Sequence, residues 1–257
     1  MNKKKEWHTV KLTILGNNGP FPSAGGACSG YLIQNEENGK KINILIDCGS
    51  GVLSNLQKVI KIGDIDAIIL THLHYDHMSD VLILWYAVDL QKRRENINKI
   101  IPIFAPEEPF DLFRNLEIKD IFDLNPINSN LVLDFAGLEF KFEEMKHKFK
   151  DFAVSIESNK KKFVYSGDTA WCDNIIHFSQ NADLLMLDSG LMSKDKKDDN
   201  LTHLTAYECG IVAKRANAKS LLLTHICPGY NLSDLETEAK QNFDETKATR
   251  IFEEYIL

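Results

Sequence analysis

Residues 67–80 read Ala67-Ile68-Ile69-Leu70-Thr71-His72-Leu73-His74-Tyr75-Asp76-His77-Met78-Ser79-Asp80. The apolar run 67–70 predicts a short buried strand, and three imidazoles and a carboxylate follow it within residues 72–77. Ligand sites of α/β proteins gather where strands end at their C-terminal side. His72 and His74 alternate, so on extended backbone they share a face and can grip one ion. Asp76 and His77 come where the chain turns, before Ser79-Asp80 opens an expected helix, and so aim at a second position beside the first. Imidazole nitrogen with carboxylate oxygen is the donor set of zinc and its first-row neighbours. A polar surface loop that happens to be rich in histidine is the plainer alternative, but such a loop does not require this spacing.

The rest of the chain is compatible with one large domain spanning 1–257. With 44% hydrophobic and 26% charged residues, the composition is that of an ordinary globular protein. A formal charge of −7 argues against nucleic-acid binding through the overall field, while leaving room for a local basic groove. The five cysteines (Cys28, Cys48, Cys172, Cys209, Cys227) form no Cys-x-x-Cys pair, which suits free thiols in a reducing compartment. Lys3-Lys4-Lys5 is not followed by the apolar core of a signal peptide. The longest apolar run, 81–88, is too short to cross a bilayer and reads as buried helix. A cytoplasmic protein is expected.

Strands are predicted at 10–15, 31–33, 42–46, 100–104, 138–142, 152–156, 162–165, 184–187 and 221–223, with a hairpin turn over 35–40. Between the first two lies the Gly/Pro/Ser-rich stretch 16–30, a loop long enough to suggest function, although a simple connector is also possible. Helical periodicity covers 52–60, 106–116 and 79–94, the last read as largely buried with a basic tail. Thr205-Ala206-Tyr207-Glu208 is a capping box for a helix to about residue 217, and Ser233-Asp234-Leu235-Glu236 repeats the device. Residues 194–200 read as a solvated charged loop, His8 as a tail residue and His177 as part of a helix; 245–257 could be strand or helix.

Histidine or aspartate recurs where the predicted strands end: Asp47, His72, His147, Asp168, Asp188 and His225. In a layered fold such ends gather along one edge. Taken singly, His147 could be a surface residue, Asp168 a turn residue and His225 a core histidine. Asp47 could orient a ligand from behind or cap the following helix.

The order His72-x-His74-x-Asp76-His77, His147, Ser166-Gly167-Asp168-Thr169 and His225 resembles the metallo-β-lactamase superfamily over nearly the whole chain. Gly25-Gly26, Ser-Gly-Asp-Thr and His203-Leu204-Thr205-Ala206 are similar to its ribonuclease Z-like, phosphodiesterase-type branch. The resemblance implies an α/β (α+β) four-layer αβ/βα sandwich with two divalent metals at one edge, zinc by expectation and manganese or iron as alternatives. One metal would be held by His72, His74 and His147, the other by Asp76, His77 and His225, with Asp168 between them. Asp76, otherwise a candidate general base, becomes a metal ligand. Asp47 and Asp188 would support from behind, and His203 would give the leaving group its proton, although it could instead help cap the Thr205 helix. A homodimer is also implied.

Two such ions 3.5–4 Å apart typically bring a shared water near neutral pKa and offset charge on a phosphoryl or carbonyl oxygen. Three departures from ribonuclease Z weigh against tRNA 3′ processing. Gly229 stands where the phosphate-holding arginine would be, in His225-Ile226-Cys227-Pro228-Gly229-Tyr230. Asp188-Ser189 replaces a glutamate, and no Gly/Pro-rich arm lies between His77 and His147. The expected activity is therefore hydrolysis of small cyclic or short nucleotide-type phosphodiesters. Lactone, ester or thioester hydrolysis on the same metals is the alternative, followed by tRNA processing and a non-catalytic metal-binding module.

Overall fold

The computed structural model describes residues 10–95, 99–197 and 202–257. His8 and the end of the charged stretch 194–200 lie outside them. The first sheet contains β1 (Lys11–Gly16), β2 (Gly30–Glu37), β3 (Lys40–Ile46), β4 (Ala67–Ile69), β5 (Ile101–Ala105), β6 (Phe122–Pro126) and β14 (Glu254–Ile256). Its order is β14-β1-β2-β3-β4-β5-β6. The second contains β7 (Val132–Phe135), β8 (Leu138–Glu144), β9 (Phe152–Ser158), β10 (Lys161–Tyr165), β11 (Leu184–Asp188), β12 (Leu221–Thr224) and β13 (Thr246–Ala248), in the order β13-β12-β11-β10-β9-β8-β7. Each sheet begins its chain path with antiparallel pairs and continues with parallel ones, β3 to β6 in the first and β10 to β13 in the second.

Strand alternation explains how the layers stack. Ile14, Tyr31, Ile33, Ile44 and Ile46 face inward from the first sheet onto Phe140, Phe142, Phe152, Val154, Phe163 and Tyr165 of the second. The intervening residues Leu15, Leu32, Leu45 and Ile68 face outward against α1 (Val52–Leu56), α3 (Val81–Glu95) and α4 (Phe110–Asn115). On the far side Val164, Leu185, Leu187 and Leu223 meet α5 (Asp173–Phe178), α6 (Ala206–Arg215) and α7 (Leu232–Ala239). The result is the four-layer αβ/βα sandwich that the sequence implied.

Several local expectations need correction. The helix read over 79–94 is preceded by a separate turn of helix, α2 (Tyr75–Met78), and α3 buries only Val81, Leu84 and Val88. Leu82, Ile83, Tyr86 and Leu90 are 39–58% exposed, because α3 lies on one sheet face and no described residue covers its outer side. The helical stretches read over 52–60 and 106–116 shorten to α1 and α4. The cap of α7 is Asn231, whose side chain accepts from the Ser233 amide, so Ser233 is inside the helix. The Thr205–Glu208 capping box is present in both directions. Residues 246–248 and 254–256 are short strands, the first at an edge of the second sheet and the other at an edge of the first.

Candidate metal centre

The C-terminal ends of β3, β4, β10, β11 and β12 and the turn between β8 and β9 open on one edge of the sandwich. They carry, respectively, Asp47, the 71–77 segment, Asp168, Asp188, His225 and His147. Two of these residues hold left-handed backbone without being glycine, Asp47 at φ 55° and His225 at φ 54°. Such conformations persist only where surrounding contacts enforce them, and they concentrate at functional sites.

Three imidazole nitrogens converge on one point. His72 Nε2 lies 3.0 Å from His74 Nδ1, which lies 3.2 Å from His147 Nε2. Burial lowers His72 and His74 to about 3, His72 being further lowered by neighbouring His77 and His74 by His72 and His147. His147 is lowered for the same first reason, burial. All three are therefore neutral at pH 7. Three neutral imidazoles converging this closely are a donor set that suits a first-row divalent cation.

A second group forms beside it. His225 Nε2 lies 3.1 Å from Asp76 Oδ2, and His77 Nε2 lies 3.7 Å from the same oxygen. Burial opposes charge on Asp76, but His225 and His77 outweigh it and hold the carboxyl near 2. Asp168 stands between the groups: its Oδ2 is 3.6 Å from His72 Nε2 and 3.3 Å from His225 Nε2, and its Oδ1 is 3.4 Å from His77 Nε2. His77 Nε2 and Asp168 Oδ1 are buried without a hydrogen-bond partner. Buried polar atoms left unpartnered are costly, and here both face the space an ion would fill. The donor set and the unpartnered atoms fit divalent cations.

Behind the imidazoles stand three fully buried carboxylates. Asp47 Oδ2 accepts from His77 Nδ1 at 2.8 Å and from the Tyr165 hydroxyl at 3.1 Å, while its Oδ1 accepts from the Thr71 amide at 2.9 Å. Asp188 Oδ2 accepts from His203 Nδ1 at 2.9 Å and the Thr169 amide at 3.1 Å; its Oδ1 accepts from the Gly190 amide and lies 3.3 Å from His225 Nδ1. Its oxygens are thus already engaged, which places Asp188 behind His203 and His225, although the four groups Asp168, Asp188, His203 and His225 also cluster closely. The third is Asp151, with Oδ2 2.7 Å from His72 Nδ1, a residue that the sequence reading missed. A carboxylate on one ring nitrogen fixes the tautomer and turns the other nitrogen to the metal. His147 is fixed differently, its Nδ1 3.2 Å from the Thr202 carbonyl.

Two glycines let the backbone come this close. Gly167, at φ 60°, has its missing Cβ direction 2.1 Å from Asp151 Oδ1, and a Cβ on Gly19 would lie 1.9 Å from His225 Nε2. The loop 17–29 is therefore folded directly over the second group, pinned by Ile226 N–H to the Asn17 carbonyl at 2.7 Å and by Gly19 N–H to the Ile226 carbonyl. His203 stacks on His225 with ring centroids 5.0 Å apart. Burial disfavours its charged form, but the Asp188 carboxylate dominates and raises it.

A family model described as a beta-lactamase superfamily domain matches residues 42–226. The "probable metallo-hydrolase YhfI" of Bacillus subtilis is 31% identical over 236 residues, covering 91% of this chain and 94% of that one. The YhfI crystal structure superposes with a TM-score of 0.91 at 29% identity, over 97% of this chain and 100% of the other. A ribonuclease Z of Ignicoccus hospitalis is 25% identical over 278 residues, covering 86% of this chain and 89% of the enzyme. With this sequence match and this sandwich, the chain belongs to the metallo-β-lactamase superfamily of metal-dependent hydrolases.

Proposed function

We propose that the chain, working as one domain over 1–257, is a phosphodiesterase for small cyclic or short nucleotide-type substrates. His72, His74 and His147 would hold one divalent ion and Asp76, His77 and His225 a second, with Asp168 shared. The observation that carries this reading is the position of Asp168, within 3.6 Å of an imidazole nitrogen from each set. Zinc is the expected metal, since nitrogen donors predominate. Bound ions would supply Lewis-acid stabilisation of phosphoryl charge and lower the pKa of water.

The chain's own residues complete the chemistry. Asp188 binds His203 through Nδ1, so the opposite nitrogen is free to present a proton to a leaving oxygen. His203 is partly exposed, its side chain retaining 25% of its accessible area, so a bound substrate can reach it. The acidic net charge, the glycine at 229 and the sequence between His77 and His147, which carries no Gly/Pro-rich arm, favour a small substrate over tRNA. Among the described residues no helix is long and apolar enough to cross a membrane, in keeping with a cytoplasmic enzyme. The exposed apolar side chains of α3 offer a face that a second copy could cover in the expected homodimer.

The decisive experiment is an activity panel on metal-defined protein, comparing cyclic and linear phosphodiesters, lactones, thioesters and precursor tRNA. Turnover of the small phosphodiesters above the other classes is expected. Faster turnover of lactones or thioesters would overturn the proposal.

A further inference from the structure

A cavity of about 810 Å³ has Lys146, Trp171, Lys197, Tyr207 and Arg215 in its wall, and although none of the candidate metal ligands lines it, its wall shares backbone segments with the metal centre. It adjoins the site through its backbone: Lys146 precedes His147, and the Ala170 amide, two residues beyond Asp168, donates to the Lys146 carbonyl at 2.9 Å. Thr205, two residues beyond His203, closes the same wall. The composition is unusual for a merely solvated groove. Trp171 is half-buried, Tyr207 is 38% exposed, and the Arg215 guanidinium carbon lies 5.5 Å from the Trp171 ring centroid. Lys196 is neutralised by Glu208, whereas Lys146, Lys197 and Arg215 have no carboxylate partner among the described residues.

Aromatic rings offer a face to any nucleobase, and cations beside them hold the attached phosphate. We propose that this cavity binds the nucleoside portion of the substrate, its base stacked on Trp171 and its phosphate held by Lys146 at the edge of the metal centre. The assignment rests on the phosphodiesterase reading for the reaction, but the stacking site stands on its own geometry. It makes the enzyme selective for phosphodiesters carrying a base on the Lys146 side.

Calorimetric titration of the metal-loaded full chain with AMP and with ribose 5-phosphate tests this directly. AMP is expected to bind the wild type more tightly, and Trp171→Ala to weaken AMP roughly 5- to 150-fold, the range for one stacked base. Ribose 5-phosphate affinity should change little, and Trp171→Phe should recover most of the loss because a ring remains. If Trp171→Ala does not fold, Trp171→Leu, which keeps apolar volume but no ring, serves instead, and AMP binding should again weaken selectively. Equal affinity of the wild type for both ligands, or AMP affinity within two-fold in the folded variants, would overturn the site. Selective, Trp171-dependent AMP binding by a protein that cleaves no phosphodiester would keep the site and remove the reaction. Phosphodiester turnover without such binding would do the reverse.

Discussion

Asp151 Oδ2 lies 2.7 Å from His72 Nδ1, with both side chains fully buried. The same oxygen accepts the Asp168 amide at 3.0 Å, so one carboxylate orients an imidazole and fixes the backbone of Asp168. Burial and the nearby Asp168 charge raise the Asp151 carboxyl well above its usual range in the metal-free protein. A cation in front of His72 would relieve part of that cost. Asp151→Asn keeps the shape and an acceptor but removes the charge. Outer carboxylates of this kind contribute about 10- to 100-fold to metal affinity, and a loss in that range is expected. Competition against a chromophoric zinc chelator measures it; unchanged affinity would remove Asp151 from this role.

That Asp151 escaped the sequence reading has a physical cause. Its partner is 79 positions away, and it stands among lysines at 146, 148 and 150, where a carboxylate looks solvated. The 71–77 cluster was legible because its residues are adjacent and its spacing carries the geometry. Asp47 and Asp188 were legible because each ends an obvious apolar strand. Edge strands were not: β6 reads Phe122-Asp123-Leu124-Asn125-Pro126, poor in strand formers, and is tolerated because only one side of it is paired. The apolar run in α3 misled for a related reason. Hydrophobic density does not say whether one face of a helix or all of it is covered.

His203 should matter only where the leaving group needs a proton. General acid catalysis contributes typically 10²–10⁴-fold, so His203→Ala should lower kcat by about that factor on alkyl-leaving phosphodiesters. With a p-nitrophenolate leaving group, which departs without protonation, the loss should shrink to about ten-fold or less. Equal losses on both substrates would reassign His203 to positioning alone.

Gly19 has no room for a side chain, since a Cβ would sit 1.9 Å from His225 Nε2. Gly19→Ala must displace either the 17–29 loop or the His225 ring. A displacement near 1 Å at a reacting centre can cost about 10²-fold in rate, and that is the expected fall in kcat/KM. The loop is anchored by buried residues at both ends but its middle, 20–26, is open to solvent and can shift, so the melting temperature of the metal-free protein should fall by no more than a few degrees. Full activity in this variant would show that the loop is not held against the metal centre.

Asp183 provides a pH-dependent stability test far from the metals. It precedes β11, where its carboxylate accepts Lys219 Nζ at 2.6 Å, the Lys162 amide at 3.0 Å and Lys161 Nζ at 3.3 Å. Burial pushes its pKa up, but these donors outweigh burial and hold it below the ordinary value. A group depressed on folding contributes stability above its unfolded pKa of about 3.9 and loses it as the pH falls through the folded value. Asp183→Asn preserves an acceptor for the Lys162 amide and removes only the charge. Since Lys161 and Lys219 are largely exposed, the charge should be worth about 1 kcal/mol or less at pH 7. Urea unfolding of metal-free wild type and variant should show that gap at pH 7, and its narrowing below about pH 4. Salt at 1 M should narrow it at pH 7 as well, because the Debye length there is about 3 Å. A gap that persists unchanged at pH 3 would mean that packing, and not the lysine–aspartate charges, sets the contribution of this residue.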